Sequence, residues 1–442
     1  MLTQLTAGSV AEVLDEAVRR ATDDGRPVLA TVAVATDLTM LDISGHATAC
    51  WWSQPGFSMF GIGAAAEVVT SGDSRFRDLN AQLRVLFLDR VGDEPVAFAG
   101  GRFMPGSADD EWEGFEEACA WIPEVALIHD EAGARLVASV LVNGKDGDLR
   151  TRLENLLQAG APTAPPAPLL ASRSSTFTPD DGSFSASVEA ALRDIADGKM
   201  HKAVLARRLR TETGASAADL IAALSLRYPD FYGYAAVRGT SAFVGASPEL
   251  LVQTEGSTVT ATPAAGTVAG TPFDAMNRKL AGGLDSVKSR WEQELVADTV
   301  YDVLEPLCES IHASLPMVVK AGPVQHLSTR VEGQLSGTVD VLELVAALHP
   351  TPAVGGVPTA EAITFIEEAE GFDRGWYSGP IGIVRSDGSG SFAVALRGAL
   401  LHDGEMDLFA GAGIVEGSIP DDERQEVELK LSAVASLFEP RD

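Results

Sequence analysis

A mixed fold, short strands interleaved with amphipathic helices, is what this 442-residue sequence predicts, and three observations predict it. Short runs rich in apolar and β-branched residues, bounded by polar turns, recur through both halves of the chain. Between them lie stretches whose apolar residues return at helical spacing, above all at 11–21, 285–307 and 420–437. A Pro/Ala/Ser-rich passage from Gln158 to Ser183 interrupts the pattern once. Its prolines can neither continue a helix nor take part in a central ladder.

In chain order, PVLATVAVAT (27–36), GFSMFGIGAAAEVVT (56–70), RVLFLD (84–89), EPVAFAGGRF (94–103) and ARLVASVLV (134–142) read as strands. AEVLDEAVRRA (11–21) and DDEWEGFEEACAW (109–121) read as helices. No cluster of catalytic residue types falls in residues 1–157, so this portion reads as scaffold. The passage 158–183 reads as a connector, extended over its prolines. A helix over 183–200, closing at Gly198, leads into the strand HKAVLARRLR (201–210), with Lys202 at its start. A helix over 215–227 precedes FYGYAAV and SAFVGASPELLVQTEG (241–256), two apolar runs around the tight GASPE, and then TVTATPAAGTVAG (258–270). A long helix over 285–307, strands within 318–335, the Pro/Gly loop LHPTPAVGGVP (348–358) and a helix over 359–370 follow. A hairpin from YSGPIGIV to SFAVALRGALL precedes the last segment, Phe409–Lys430.

Composition bounds the function. With 45% hydrophobic and 22% charged residues the chain is globular, and no run approaches the roughly 18–20 uninterrupted apolar residues of a membrane span. The N-terminus lacks the basic start and apolar stretch of a secretory signal. Cys50, Cys119 and Cys308 stand apart without CxxC spacing, which argues against a disulfide framework or a zinc site and fits a reducing cytoplasm. A formal charge of −30 argues against nucleic acid or an anionic membrane as partner. An anionic ligand would then need a site that concentrates cations or a metal ion.

The segment FAGAGIVEGSIPDDERQEVELK (409–430) meets that need. Gly411 and Gly413 predict a turn whose N–H groups converge on an anion. Ser418 and Pro420 predict a helix start, with Asp421 completing a loose capping box. Glu423, Glu426 and Lys430 then share one helical face, beside a stripe of Val427, Leu431, Val434 and Leu437. A solvated Glu/Lys face is the plainer reading of such a helix. Glu292 lies mid-helix beside Leu295, Val296 and Thr299, so it faces partly inward and needs a cation. That cation is Lys288 or Arg290 on the surface, or a Mg²⁺ shared with Glu426. Lys202 and Glu249, at the edges of apolar strands, are either ordinary strand-end residues or a base and an acid whose protonation burial would tune. Arg397 interrupts the apolar run FAVALRGALL, which suits either a bidentate grip on a carboxylate or an edge-strand position.

Taken together, HKAVLAR, FVGASPELL, TPAAGT, KSRWEQELVAD, LHPTPAVGGVP, GWYSGPIGIV, FAVALRGALL and FAGAGIVEGSIPDDERQEVELK resemble, in order, the motifs of the chorismate-utilising enzymes. These are the isochorismate, salicylate, anthranilate and aminodeoxychorismate synthases. The motifs span most of residues 183–440, and the N-terminal part resembles the family only through its strand alternation, GIGAA and FAGGRF. The resemblance implies one large α+β domain: antiparallel sheets packed as a sandwich, helices outside, residues 1–157 as its scaffold portion and 184–442 as its catalytic portion. It implies Glu292 and Glu426 as Mg²⁺ ligands. Gly266, Thr267, Arg397, Gly411 and Lys430 become contacts to substrate carboxylates, with Lys202 as base and Glu249 as general acid. Lysine at 202 matches the members that add water, where the aminating ones carry glutamine, so no glutaminase subunit is expected. The implied reaction is the isomerisation of the small molecule chorismate to isochorismate. Salicylate synthase is the rival within the family, a non-catalytic chorismate binder the rival outside it, and menaquinone and siderophore synthesis both stay open as destinations. The chain departs from the family pattern at Thr267–Gly270, where an arginine-bearing segment often follows, and at Gln293, where a histidine is common.

Overall fold

The computed structural model describes residues 7–438 except 42, 44, 107, 144–174, 270–286 and 322–323. Two large sheets dominate the described residues. The first, of 13 strands, runs Ser175–Thr178, Lys202–Glu212, Glu405–Ile414, Gly398–His402, Ser241–Ser247, Tyr232–Arg238, Thr48–Gln54, Phe57–Ile62, Val125–Asp130, Gly133–Val142, Val28–Ala35, Arg90–Gly92. Its thirteenth strand, Gly356–Val357, pairs with the start of Lys202–Glu212. The second, of nine strands, runs Cys308–Ala313, Val331–Leu335, Thr258–Ala261, Leu250–Glu255, Gly390–Val394, Pro380–Arg385, Val96–Gly101, Ala118–Ile122, Ala66–Thr70. Pairing is antiparallel in both apart from Val28–Ala35 with Arg90–Gly92. Strands from the two ends of the sequence pair directly, Tyr232–Arg238 with Thr48–Gln54 and Pro380–Arg385 with Val96–Gly101.

The period-2 alternation of strands sorts the core into two layers. Trp52, Phe98, Trp121, Phe243, Ile383 and Phe409, drawn from both sheets, form one buried cluster and bring the sheets face to face. Their neighbours Trp51, Ala97, Ala120, Val244 and Leu408 point the other way, into a cluster shared with helices such as Arg75–Leu88, Ala217–Arg227 and Pro420–Ala435. A sandwich with helices outside therefore stands. No helix among the described residues is long and apolar enough to cross a membrane.

Local readings needed correction where two periods competed. RVLFLD (84–89) is not a strand but the end of the helix Arg75–Leu88, because Phe76, Leu79, Leu83 and Phe87 fall at helical spacing and are buried. The helix read over 109–121 is a single 3₁₀ turn, Asp110–Trp112, followed by the strand Ala118–Ile122. Trp112 and Phe115 anchor that turn in the inter-sheet core. Of the connector 158–183, residues 158–174 lie outside the described residues; Ser175–Thr178 is an edge strand and Asp181 already opens a helix, Asp181–Ala196. The helix Thr359–Glu370 and the strand starting at Lys202 fall where the sequence puts them.

Candidate active site

A cleft opens where the start of Lys202–Glu212 and the end of Glu405–Ile414 meet the helices Val287–Leu304 and Pro420–Ala435. Glu249, Gly266, Glu292, Arg397, Gly411 and Lys430 all line it. Lys202 and Glu426 adjoin it through ion pairs with two of these residues, and Thr267 follows in the strand backbone.

Lys202 is set by the first residue of its strand, which pairs with both Glu405–Ile414 and Gly356–Val357. Its Nζ lies 3.0 Å from Glu292 Oε1, with the lysine side chain 1% and the glutamate 12% exposed. Nζ has no hydrogen-bond partner of good geometry among the described residues. A cation for Glu292 thus comes from a strand 90 positions upstream.

Gly413 explains how that pair fits. A Cβ there would stand 2.2 Å from Glu292 Oε1 and 3.0 Å from Lys202 Cε. The predicted turn at Gly411 and Gly413 is not one: both residues sit in the strand Glu405–Ile414, opposite Ala206 and Val204, whose own N–H groups donate elsewhere, to Glu370 Oε1 and the Gly355 carbonyl. The second glycine makes room for side chains instead. Gly413→Ala is expected to separate the pair, cost on the order of 1–3 kcal/mol by overpacking and lower turnover by more than about tenfold. Thermal melts and steady-state kinetics on the same preparation check both effects.

Lys430 Nζ bonds Glu426 Oε1 at 2.7 Å and donates to the Gly411 carbonyl at 2.8 Å. Glu426 approaches the cleft through that lysine. One turn earlier Glu423 is fully buried, as are Val427, Leu431 and Val434, so the helix is not a solvated face. It begins at Pro420 with Ile419 as its cap; the Ser418 hydroxyl accepts from the Val415 N–H, so the predicted capping box does not form.

Glu249 follows Pro248, where the chain leaves Ser241–Ser247 for the other sheet; its N–H donates to Ser247 Oγ at 3.2 Å. The residue is 3% exposed. Burial pushes its pKa up to about 8, against a backbone hydrogen bond from Ala264 and the charges of Lys202, Lys430 and Arg397. It stands at a strand end, as the sequence suggests, but it is not a surface residue.

Arg397 sits between Gly390–Val394 and Gly398–His402 at φ +53°, a left-handed backbone. It is buried, and burial lowers its pKa. Nη2 contacts His326 Nε2 at 3.0 Å, while Nε has no hydrogen-bond partner among the described residues. Donors of a planar fork therefore remain unspent at the cleft wall.

Gly266 (φ +67°) marks a bulge in the strand Ala264–Ala269, where the register shifts between Ala265 and Thr267; the predicted turn there is a distorted strand. Gln293, the departure from the family pattern, holds this bulge in place. Its Oε1 accepts from the Ala265 N–H at 2.7 Å, and its Nε2 donates to the Pro263 carbonyl at 3.1 Å and to Thr329 Oγ1 at 3.0 Å.

The sequence reading passed over three residues. His326 and Tyr377 line the cleft. Arg374, paired with Glu370, donates to the Val354 and Val204 carbonyls at 2.8 Å and so fixes two lining residues.

Among the described residues no three His, Cys, Asp or Glu side chains converge as a metal cluster. Mg²⁺ asks for less, one or two carboxylates with water and ligand oxygens completing the octahedron. Glu292 and Glu426 are donors of that kind.

A sequence model described as "Chorismate binding enzyme" matches residues 17–439. The chain is 32% identical over 438 residues, 95% of its length and 92% of the relative's, to the "Salicylate biosynthesis isochorismate synthase" of Pseudomonas aeruginosa. It superposes on MenF, the menaquinone-specific isochorismate synthase of Escherichia coli, with a TM-score of 0.80 and 23% identity over 98% of this chain and 100% of that one. Against anthranilate synthase component I of Streptococcus pneumoniae the TM-score is 0.71 with 21% identity, covering 91% and 95%.

Proposed function

The chain belongs to the chorismate-binding enzyme family, and on that premise we propose that it is an isochorismate synthase, an isomerase that adds water at C2 of chorismate and releases the C4 hydroxyl. One observation carries this reading: a buried amine, Lys202, adjoins the cleft lined by a carboxyl whose pKa is raised to about 8, Glu249. The relative from Pseudomonas aeruginosa, named as an isochorismate synthase and similar along nearly its whole length, supports the same reaction.

Chorismate carries two carboxylates, and the cleft offers cations for them against the chain's net charge of −30. Arg397 presents its unspent Nε to one carboxylate, and Lys430 lies across the same space. With the ring held, Lys202 takes a proton from the water that attacks C2. Glu249 delivers its proton to the departing C4 oxygen, and both double bonds of the ring diene shift by one position, away from C2 and towards C4, as the C4–O bond breaks. Holding both partners in one orientation lowers the entropic part of the barrier, and matching each group's protonation to its task lowers the rest.

Glu292 and Glu426, each paired with a lysine, are the residues that would hold Mg²⁺, which bound there would neutralise a substrate carboxylate. Thr267 and the backbone of Gly266 and Gly411 complete the proposed substrate contacts. Glu426→Gln is expected to raise the Mg²⁺ concentration giving half-maximal rate, and the KM for chorismate with it, by about tenfold or more. A Mg²⁺ titration at several chorismate concentrations checks this, and unchanged values of both contradict it.

The three unbonded cysteines suit a cytoplasmic setting. Chromatography of the products formed from chorismate, with and without Mg²⁺, tests the activity. Isochorismate should accumulate. Salicylate formed without any added lyase moves the assignment to salicylate synthase, and binding without conversion moves it to a non-catalytic binder.

A further inference from the structure

Arg397 stands between two strands in a backbone conformation that L-residues seldom adopt, and its side chain needs a residue to position it. We propose that His326 is that positioning residue: one ring nitrogen accepts from Arg397 Nη2 while the other is tied to the backbone of Gly266, which keeps the guanidinium aimed at a substrate carboxylate. This rests on the reading of Arg397 as a carboxylate contact.

His326 lies in the strand Val324–Ser328, which pairs with Ala264–Ala269 beside the Gly266 bulge. Nε2 stands 3.0 Å from Arg397 Nη2, and a guanidinium has no acceptor atom. Nε2 must therefore offer a lone pair, and the proton belongs to the other nitrogen, whose hydrogen bond is to the Gly266 backbone. A doubly protonated ring could not make the first contact. Burial, then the charges of Arg397 and Lys430, keep the imidazole neutral, its pKa well below the ordinary value. One ring thus ties together the bulge and the arginine, two walls of the same cleft. An apolar side chain of equal size would fill the space and leave the fork free to turn.

The test is a double-mutant cycle read as chorismate affinity by calorimetry in Mg²⁺ buffer, in a Lys202→Ala background so that substrate is not consumed. His326→Leu should weaken binding by roughly 30-fold, and His326→Gln, whose amide oxygen can accept from Arg397, should recover most of that loss. In an Arg397→Ala protein, His326→Leu should add less than about twofold, because the group it acts through is gone. A full additional loss there, or a Gln variant that melts like the parent yet binds as poorly as the Leu variant, overturns the positioning role. If Arg397→Ala alone binds chorismate as tightly as the parent, the carboxylate reading of Arg397 falls first, and this inference with it.

Discussion

Lys202→Ala is expected to lower chorismate turnover by roughly 10²–10⁴-fold while leaving the dissociation constant for chorismate within about threefold. The lysine makes no hydrogen bond of good geometry among the described residues, so its removal strips no scaffold contact beyond the Glu292 pair. What it removes is the acceptor for the attacking water's proton. Lys202→Gln should be as inactive, since an amide cannot take that proton, although it preserves length and polarity. Kinetics and calorimetry on both variants decide the matter; a near-normal rate for either removes Lys202 from the chemistry.

Glu249→Gln is expected to cost a similar factor in rate and to make the protein more stable at alkaline pH. Folded Glu249 keeps its proton up to about pH 8, whereas the unfolded chain gives it up near 4.5. Between those values the native state binds the extra proton, so stability falls as pH rises. The full penalty, on the order of 5 kcal/mol, is reached near pH 8 and level above it. Glutamine escapes that penalty, so the variant's Tm should exceed that of the parent by a margin that grows from pH 5 to pH 8. Activity follows the same proton: the parent's rate should decline as pH rises through about 8, and the residual rate of Glu249→Gln should lack that limb. Denaturation at a series of pH values and a pH–rate profile measure both.

The two predictions bear on the residues the sequence made easiest to find, and that is no accident. Arg397 interrupts an apolar run, Lys202 and Glu249 stand at the edges of such runs, and Glu292 shares a helical face with Leu295, Val296 and Thr299; a charge so placed is conspicuous in one dimension because burial is costly without a partner. The partners themselves were hidden. Helical spacing offers Glu292 Lys288 and Arg290, whereas Lys202 reaches it from the start of a strand far away in sequence. Gly413 read as a conformational residue, and only the packing of two side chains against its missing Cβ reveals a steric one. His326 drew no attention because a lone histidine in an alternating strand is ordinary until its two nitrogens are traced to Arg397 and Gly266. Among the elements, Thr359–Glu370 was legible end to end, whereas RVLFLD looked like a strand because its run is continuously apolar over too few residues to display a helical period. The sandwich followed from the resemblance rather than from any single run, since which faces meet depends on pairings between residues hundreds of positions apart.

The account turns on water as the nucleophile, activated at one side of the ring while a hydroxyl leaves from the other. Running the reaction in water enriched in ¹⁸O and weighing the isochorismate formed in the first turnovers tests it directly. One solvent oxygen per product molecule, a gain of two mass units located at C2, is the predicted result. Unlabelled isochorismate would mean that the original hydroxyl is passed across the ring, and the roles given to Lys202 and Glu249 would then be wrong.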